Sequence, residues 1–350
     1  MRALRAHAPR DYRLDEIEKP TVGPDDVLAR VLACGICAGD TKAFNGGIRI
    51  WGTGPHDRYI EAPVTGGHEF VGEVVEVGAN VSGFKPGDRV IAENIVPCGH
   101  CAYCRASQHW LCTESAVFGF KQHCNGGFAE YVKLPPTSII HHVPEGMSVE
   151  QAALVEPISC GFHAIEQAVI TSSDVVVVAG LGGIGLAMLS IVAARLPRLV
   201  IGVDVRPDRT ALARDFGADV VLNPTECDLA SEIRSLTEGL GCDVYLEASG
   251  SEKSVHQGLD CLRNRGRFVQ MGVFPDLVTA DWNVIGDGKE LRIFGSHLSG
   301  TAYPSVIKGI ANGTIRTEGL VTHSFTLENW QKAFETAERG EGALKVLLTP

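Results

Sequence analysis

The chain has 350 residues, 45% hydrophobic and 21% charged, with 31 Lys and Arg against 42 Asp and Glu for a formal net charge of −11. That length is about twice a typical domain, so two domains are expected, and the ordinary apolar share excludes a disordered or fibrous chain. An acidic surface repels phosphate backbones, which argues against nucleic acid and anionic membranes as partners.

Met1 to Lys19 is rich in Arg, Asp and Glu and has no apolar run. No secretory signal is therefore expected, and a cytoplasmic chain keeps its thiols reduced. Eleven cysteines, an odd number, cannot all be paired in disulfides. In such a compartment, clusters of cysteine point to metal or catalysis.

Residues 1 to about 150 alternate short β-branched runs with Gly, Pro and Asp, the pattern of an all-β, barrel-like domain with long loops. The runs are Val27–Leu32, Phe70–Gly78 and Asp88–Ala92, with the turn Lys85-Pro86-Gly87-Asp88 between the last two. Cys34-Gly35-Ile36-Cys37 fits a redox pair, a pair of metal ligands or two core thiols. The loop from Asn45 to Val64 carries Arg49, Trp51, His56, Arg58 and Tyr59. That polar and aromatic set suits a hydroxylated substrate, a subunit contact or plain solvent. Gly67-His68-Glu69 is equally open, because a histidine is often a satisfied core or surface residue.

The strongest local signal is Cys98, Cys101, Cys104 and Cys112, four cysteines at gaps of two, two and seven residues. Four thiolates at such spacing close a tetrahedron around Zn²⁺ with no open position, which is a structural site. A ferredoxin-type iron–sulfur run would place its next cysteine after three residues, followed by proline; here the gap is seven and Thr113 follows. Beyond this loop, Glu156-Pro157 can simply begin a helix.

From about residue 151 continuous apolar strands alternate with helices, which predicts a parallel sheet covered on both faces. The strands are Val175–Ala179, Leu199–Val203, Asp219–Leu222, Asp243–Glu247 and Gly266–Met271, with helical stretches at Leu186–Arg195 and Arg209–Phe216. Val175 to Ala194 is twenty residues without a charge, long enough for a bilayer. Four glycines crowd into it, so a buried strand, tight turn and helix fit better.

Those glycines form Gly180-Leu181-Gly182-Gly183-Ile184-Gly185 between an apolar strand and a helix, the context that a dinucleotide-binding turn requires. Gly180 permits the turn, Gly182 admits a pyrophosphate to the backbone and Gly185 allows close helix–strand packing. Asp204 ends the next strand, 24 residues after Gly180. Its carboxylate would accept the ribose hydroxyls and select NAD; Arg206 and Arg209 lie near enough to hold a 2′-phosphate, which Asp204 would repel. A nicotinamide enzyme also needs its alcohol held and acidified, and a Zn²⁺ with three protein ligands and an open position does both.

Taken together, these stretches resemble the zinc-dependent medium-chain dehydrogenase/reductase family of alcohol and polyol dehydrogenases. The resemblance rests on Cys34 to Asp40, Gly67 to Gly72, the Cys98–Cys112 cluster, Val155-Glu156-Pro157, and the glycine turn with Asp204, and it spans essentially the whole chain. It implies an α/β fold: a GroES-like β-barrel catalytic domain over 1–152, to which 293–350 return, and a Rossmann doubly wound parallel sheet over 153–292. It implies two Zn²⁺ per chain. Cys37, His68 and Glu156 would hold the catalytic ion, with Glu69 a fourth or displaceable ligand and Asp40 orienting His68, while the four cysteines hold the other. Glu156, in place of a cysteine, puts the chain in the sorbitol- and threonine-dehydrogenase branch, and Cys34 becomes a buried bystander.

The implied NAD contacts are Gly180, Gly182, Gly183, Ile184, Gly185, Asp204, Arg209, Gly272, Val273, Ser296 and His297. A homotetramer or homodimer is implied, with no nucleic acid or membrane partner. Phe118 and Phe120 are expected either as an apolar pocket wall or as core. The chain also departs from the family pattern. A Ser or Thr usually stands two residues beyond the zinc cysteine, where this chain has Gly39, and Lys42 occupies a position often held by a relay histidine. Thr41 is near, but strand alternation would turn it elsewhere.

The expected activity is oxidation of a secondary hydroxyl of a short polyol, tetritol to hexitol, to a ketose with hydride transfer to NAD. A threonine-dehydrogenase-like or simple secondary alcohol dehydrogenase is the alternative within the family. A zinc module that binds nucleic acid or protein is the alternative of another class, and the charge of −11 opposes it. A zinc-independent enone reductase would have no use for Cys37, His68 and Glu156.

Overall fold

The computed structural model describes residues 1–54 and 57–350. His56, one of the polar residues of the long loop, lies outside the described residues. The chain folds into two compact units, one of Met1–Glu156, Tyr303–Ala311 and Thr317–Pro350, the other of Pro157–Ala302 and Asn312–Arg316.

In the first unit, strands Arg2–Ala8 and Asp11–Glu16 form an antiparallel hairpin. A seven-stranded sheet runs in the order Ile140–His142, Arg89–Ala92, Glu69–Val77, Val27–Gly35, Lys345–Thr349, Val321–Thr326, with Tyr131–Leu134 also paired to Val27–Gly35. Along Val27–Gly35 only Arg30 faces solvent, as expected of a strand covered on both faces. Its antiparallel register sets Gly35 opposite Glu69 and Cys34 opposite Phe70. The C-terminal strand completes the arrangement by setting Leu347 opposite Gly35. Three segments remote in sequence thereby end at one place. The core beneath them is built on Leu4, Phe70, Phe118, Phe128, Trp330 and Phe334.

The Asn45–Val64 loop is partly ordered by its own apolar residues. Ile48–Trp51 makes a turn of helix, and Trp51 is buried with its indole Nε1–H donated to the Ala43 carbonyl at 2.7 Å. Trp51 is thus a packing residue, and Arg58 lies over its ring at 5.5 Å.

The second unit is a six-stranded parallel sheet in the order Val220–Leu222, Leu199–Val203, Val175–Ala179, Cys242–Glu247, Leu262–Gln270, Arg292–Gly295. Every residue of Val175–Ala179 is buried, as continuous apolar strands predict. Helix Gly183–Ala193 is apolar all round and also buried, so the uncharged run is strand, turn and helix. Among the described residues no helix is long and apolar enough to cross a membrane.

The domain boundary differs from the expected residue 292. Arg292–Gly295 pairs in parallel with Leu262–Gln270, and these backbone bonds keep the chain in the second unit until Ala302. Asn312–Arg316 also belongs there, where the Arg316 N–H reaches Ser190 Oγ at 3.3 Å.

Candidate metal centre and cofactor turn

At the end of strand Val27–Gly35 the chain turns into helix Ala38–Phe44, which Cys37 caps. Cys37 Sγ accepts the Gly39 N–H at 3.3 Å, and Asp40 reaches back to accept the Cys37 N–H at 2.9 Å, the reciprocal pattern of a capping box. Across the sheet, Gly67 takes φ 90°; a Cβ there would stand 2.6 Å from the Phe128 ring and 2.8 Å from Cys34 Sγ. Only glycine fits that approach, and it delivers His68 to the cluster. Ligand atoms of Cys37, His68 and Glu69 all lie within 4.8 Å of one another. Thiolate, imidazole and carboxylate at that spacing form a donor set suited to Zn²⁺.

Burial works against a charged His68 ring, but Asp40, Cys37 and Glu156 around it outweigh that and raise its pKa well above the ordinary value. Burial likewise pushes the Asp40 carboxyl up. Asp40 Oδ1 stands 3.8 Å from His68 Nδ1, an ion-pair contact longer than a hydrogen bond, while its Oδ2 accepts the Cys37 N–H. Glu69 is fully buried, and both its oxygens accept from Lys345 Nζ, at 2.7 and 2.6 Å. Burial disfavours the ammonium, yet Glu69 above all raises the Lys345 pKa. Sequence reasoning missed Lys345; the only signal was one lysine opening an otherwise apolar strand.

Glu156 stands outside the tight three-residue cluster. It is buried at the second position of helix Val155–Ala168, near enough for its charge to act on His68, and its Oε1 accepts from Asn94 Nδ2 at 2.6 Å. Asn94 was not anticipated either. Phe118 and Phe120 both belong to the core; Phe118 packs against Phe70, and Phe120 lies beside His68, ring centroids 5.9 Å apart. Tyr59 extends that aromatic wall, 5.7 Å from Phe120. Thr41 sits on a helix, where a strand had been expected, and its hydroxyl donates to the Ala38 carbonyl at 3.1 Å. Lys42 is half-buried, and desolvation lowers its pKa. Cys34 is a fully buried thiol.

Cys98, Cys101, Cys104 and Cys112 bring their four sulfurs within 4.8 Å. Backbone N–H groups point at them, Cys98 to Cys112 Sγ at 3.3 Å and Cys101 to Cys98 Sγ at 3.4 Å. The Cys104 N–H in particular pulls the Cys101 thiol down to about 6, in the range that favours the ligating thiolate. The same loop is tied to the sheet by Glu93, a buried carboxylate that receives His109 Nε2 at 2.7 Å and His141 Nε2 at 3.1 Å.

In the second unit the expected cofactor residues follow the carboxyl ends of neighbouring parallel strands, where dinucleotides bind in such sheets. Gly180 has φ 95°, and a Cβ on it would meet the Ser249 backbone at 2.6 Å. A Cβ on Gly185 would fall 1.8 Å from the Gly180 carbonyl, while Gly182 faces open space. Gly182 also caps helix Gly183–Ala193, whose first turn includes Ile184. Asp204 is buried, with Oδ2 accepting the Leu181 N–H at 2.6 Å and Oδ1 the Arg206 N–H at 2.9 Å. Arg209 lies 3.6 Å from it.

Glu247, also unanticipated, is fully buried and braces this region: it accepts the N–H groups of Ser249 at 2.9 Å and Gly250 at 3.1 Å. Gly272 leaves room for it, since a Cβ there would stand 2.4 Å from Glu247 Oε2. Val273 is exposed, Ser296 Oγ is buried without a hydrogen-bond partner among the described residues, and burial lowers the pKa of the half-buried His297.

Residues 23–145 match the alcohol dehydrogenase GroES-like domain, and residues 183–312 match the zinc-binding dehydrogenase domain. This chain is a zinc-dependent medium-chain dehydrogenase. The dehydrogenase is 41% identical to the erythritol/L-threitol dehydrogenase of Mycolicibacterium smegmatis over 353 aligned positions, covering 100% of this chain and 98% of that protein. It is 34% identical to a sorbitol dehydrogenase of Halalkalibacterium halodurans, covering 98% and 97%. Among solved structures, a zinc-binding dehydrogenase of Sinorhizobium meliloti 1021 bound to NADP superposes with a TM-score of 0.89 at 28% identity, over 100% of this chain and 99% of that one. A short-chain alcohol dehydrogenase from E. coli CFT073 in complex with NADH has the same TM-score, 0.89, the same identity, 28%, and the same coverage, 100% and 99%. The dehydrogenase is therefore an oxidoreductase of a family that works with zinc and a nicotinamide cofactor, on a fold with a GroES-like and a Rossmann-type unit.

Proposed function

We propose that this dehydrogenase oxidises a secondary hydroxyl of a short linear polyol, four-carbon polyols first, to the ketose and passes the hydride to NAD. The observation that carries the reading is the 41% identity, over the full length of both chains, to an erythritol/L-threitol dehydrogenase. The donor set Cys37, His68 and Glu69, with Glu156 beside it, supports the chemistry. In this reading Cys37, His68 and Glu156 hold the catalytic zinc, and Glu69, which Lys345 grips by both oxygens, is the displaceable member. A second zinc belongs to Cys98, Cys101, Cys104 and Cys112. A zinc ion at the first site supplies a Lewis acid that lowers the pKa of a coordinated hydroxyl.

The proton route in this chain differs from a side-chain hydroxyl relay. Gly39 has no hydroxyl, and that of Thr41 is spent on Ala38. A neighbouring hydroxyl of the substrate itself would take over as relay, accepting that proton while handing its own to solvent water, and a polyol has such a group where a simple alcohol lacks it. Phe120 and Tyr59 form the apolar side against which the carbon chain lies. Asp204 rejects a 2′-phosphate and so favours NAD over NADP. The enzyme works in the cytoplasm as a homo-oligomer, dimer or tetramer.

The test is a steady-state panel of erythritol, L-threitol, sorbitol, L-threonine and a simple secondary alcohol, each with NAD⁺ and NADP⁺. The expected result is the highest kcat/KM on a four-carbon polyol with NAD⁺, preferred over NADP⁺ by about tenfold or more, a difference of about 1.4 kcal/mol. Turnover of L-threonine or a simple alcohol with none of the polyols overturns the substrate assignment.

A further inference from the structure

Asn94 is buried, 2% exposed, and lies just past strand Arg89–Ala92. Its amide donates to Oε1 of Glu156 at 2.6 Å, a short contact between two side chains 62 residues apart. The amide orientation follows from chemistry, because turning it would set a carbonyl oxygen against a carboxylate. The backbone around Asn94 is held from both sides. Its carbonyl accepts the Phe118 N–H at 2.9 Å, and the preceding Glu93 N–H donates to Ile139 at 2.9 Å. The Glu93 carboxylate takes two histidine donors. An amide on so fixed a segment has little freedom to follow the carboxylate, so the carboxylate follows the amide.

We infer that Asn94 is the positioning residue for the carboxylate ligand of the catalytic metal: by holding Oε1 it sets the plane of Glu156 and restricts it to ligating through one oxygen, Oε2. The inference rests on the reading of Glu156 as a ligand. A carboxylate with one oxygen committed to a buried donor binds as a single point, which suits a four-coordinate zinc better than a chelating pair. The other half of the amide supports a place at the site. Asn94 Oδ1 is buried with no hydrogen-bond partner among the described residues. Buried acceptors are rarely left in that state, and a substrate hydroxyl is a donor of the class that satisfies one.

The experiment loads the full chain with Co²⁺ and reads release of the two ions against a chelator, together with the visible absorption of cobalt, for Asn94→Leu, Glu156→Ala and the double variant. Leucine keeps the volume and removes the donor. The expected result is a 10- to 100-fold weaker hold on one of the two ions in Asn94→Leu, the scale typical of a lost partner to a metal ligand, with shifted cobalt bands and the four-cysteine ion retained. The double variant should hold that ion no more weakly than Glu156→Ala alone, because Asn94 acts through Glu156.

Equal metal affinity in Asn94→Leu and the parent, or additive losses in the double variant, overturns the inference while leaving the ligand assignment standing. Unchanged affinity in Glu156→Ala overturns the ligand assignment and the inference with it. Should Asn94→Leu also lose the four-cysteine ion, Asn94→Ala is read by the same criteria.

Discussion

Glu156 sits in the first turn of a helix, where the unpaired N–H groups favour a negative charge. Its other neighbours, His68 and Asn94, come from separate strand ends. On the proposed reading of Glu156 as a zinc ligand, Glu156→Ala should cost the chain its catalytic ion and lower turnover by at least about 10²-fold, more than the loss of a mere partner to a ligand costs. The thermal midpoint should stay close to that of the parent. Metal analysis, steady-state kinetics and a melting curve check the three parts. At this scale the legibility of the sequence followed distance along the chain. Cys37, His68 and the four clustered cysteines lie in short motifs, and the fold gathers them into two clusters of ligand-type atoms. Lys345 pairs with a carboxylate 276 residues away, and no local pattern marks it. Asn94, Glu93 and Glu247 are single polar residues beside apolar runs, and their roles come from tertiary neighbours alone.

The strand, turn and helix from Val175 to Ala193 form the element most fully legible beforehand. Uncharged runs on both sides of the glycines leave no other way to bury so much apolar surface. Gly185→Ala should test the packing directly. The new methyl would fall 1.8 Å from the Gly180 carbonyl, so the helix must move off the strand. A destabilisation of about 1–3 kcal/mol is expected, with weaker NADH binding, measured by denaturant unfolding and by nucleotide fluorescence titration. Helix Ala38–Phe44 was harder to read. It has seven residues, about two turns and shorter than the window of roughly 11–18 residues over which helical periodicity is read, and its cap is a cysteine, outside the usual Ser, Thr, Asp and Asn set. The edge strand Arg292–Gly295 is hard to place from sequence for a similar reason, since four mixed residues carry no alternation.

Across the whole molecule the two units differ in how their order is written. In the parallel sheet each strand follows the last through a helix, and the alternation of runs reveals it. In the first unit the seven-stranded sheet joins segments from both ends of the chain, and register there depends on pairings that no run of residues announces. Glu93 is one of the fastenings of that unit. Burial raises its pKa, but His109 and His141 more than offset this and hold it below the ordinary glutamate range. A carboxylate depressed in the folded state stabilises the fold above its unfolded pKa, about 4.3, and loses that contribution as pH falls through the folded value. Glu93→Gln should therefore cost about 1–3 kcal/mol near neutrality, and the gap to the parent should close in acid. Urea unfolding at a series of pH values measures both.

The ion pair between Glu69 and Lys345 also has a meaning in time. At about 5–20 residues per second, a ribosome needs roughly 15–55 s to travel from one to the other. Throughout that interval the first unit holds a carboxylate whose buried counter-charge has not been made. The parallel sheet, with all its strands between Val175 and Gly295, is complete well before. Synthesis therefore finishes the nucleotide-binding half first and leaves the metal-binding half to close last, around the lysine that neutralises it.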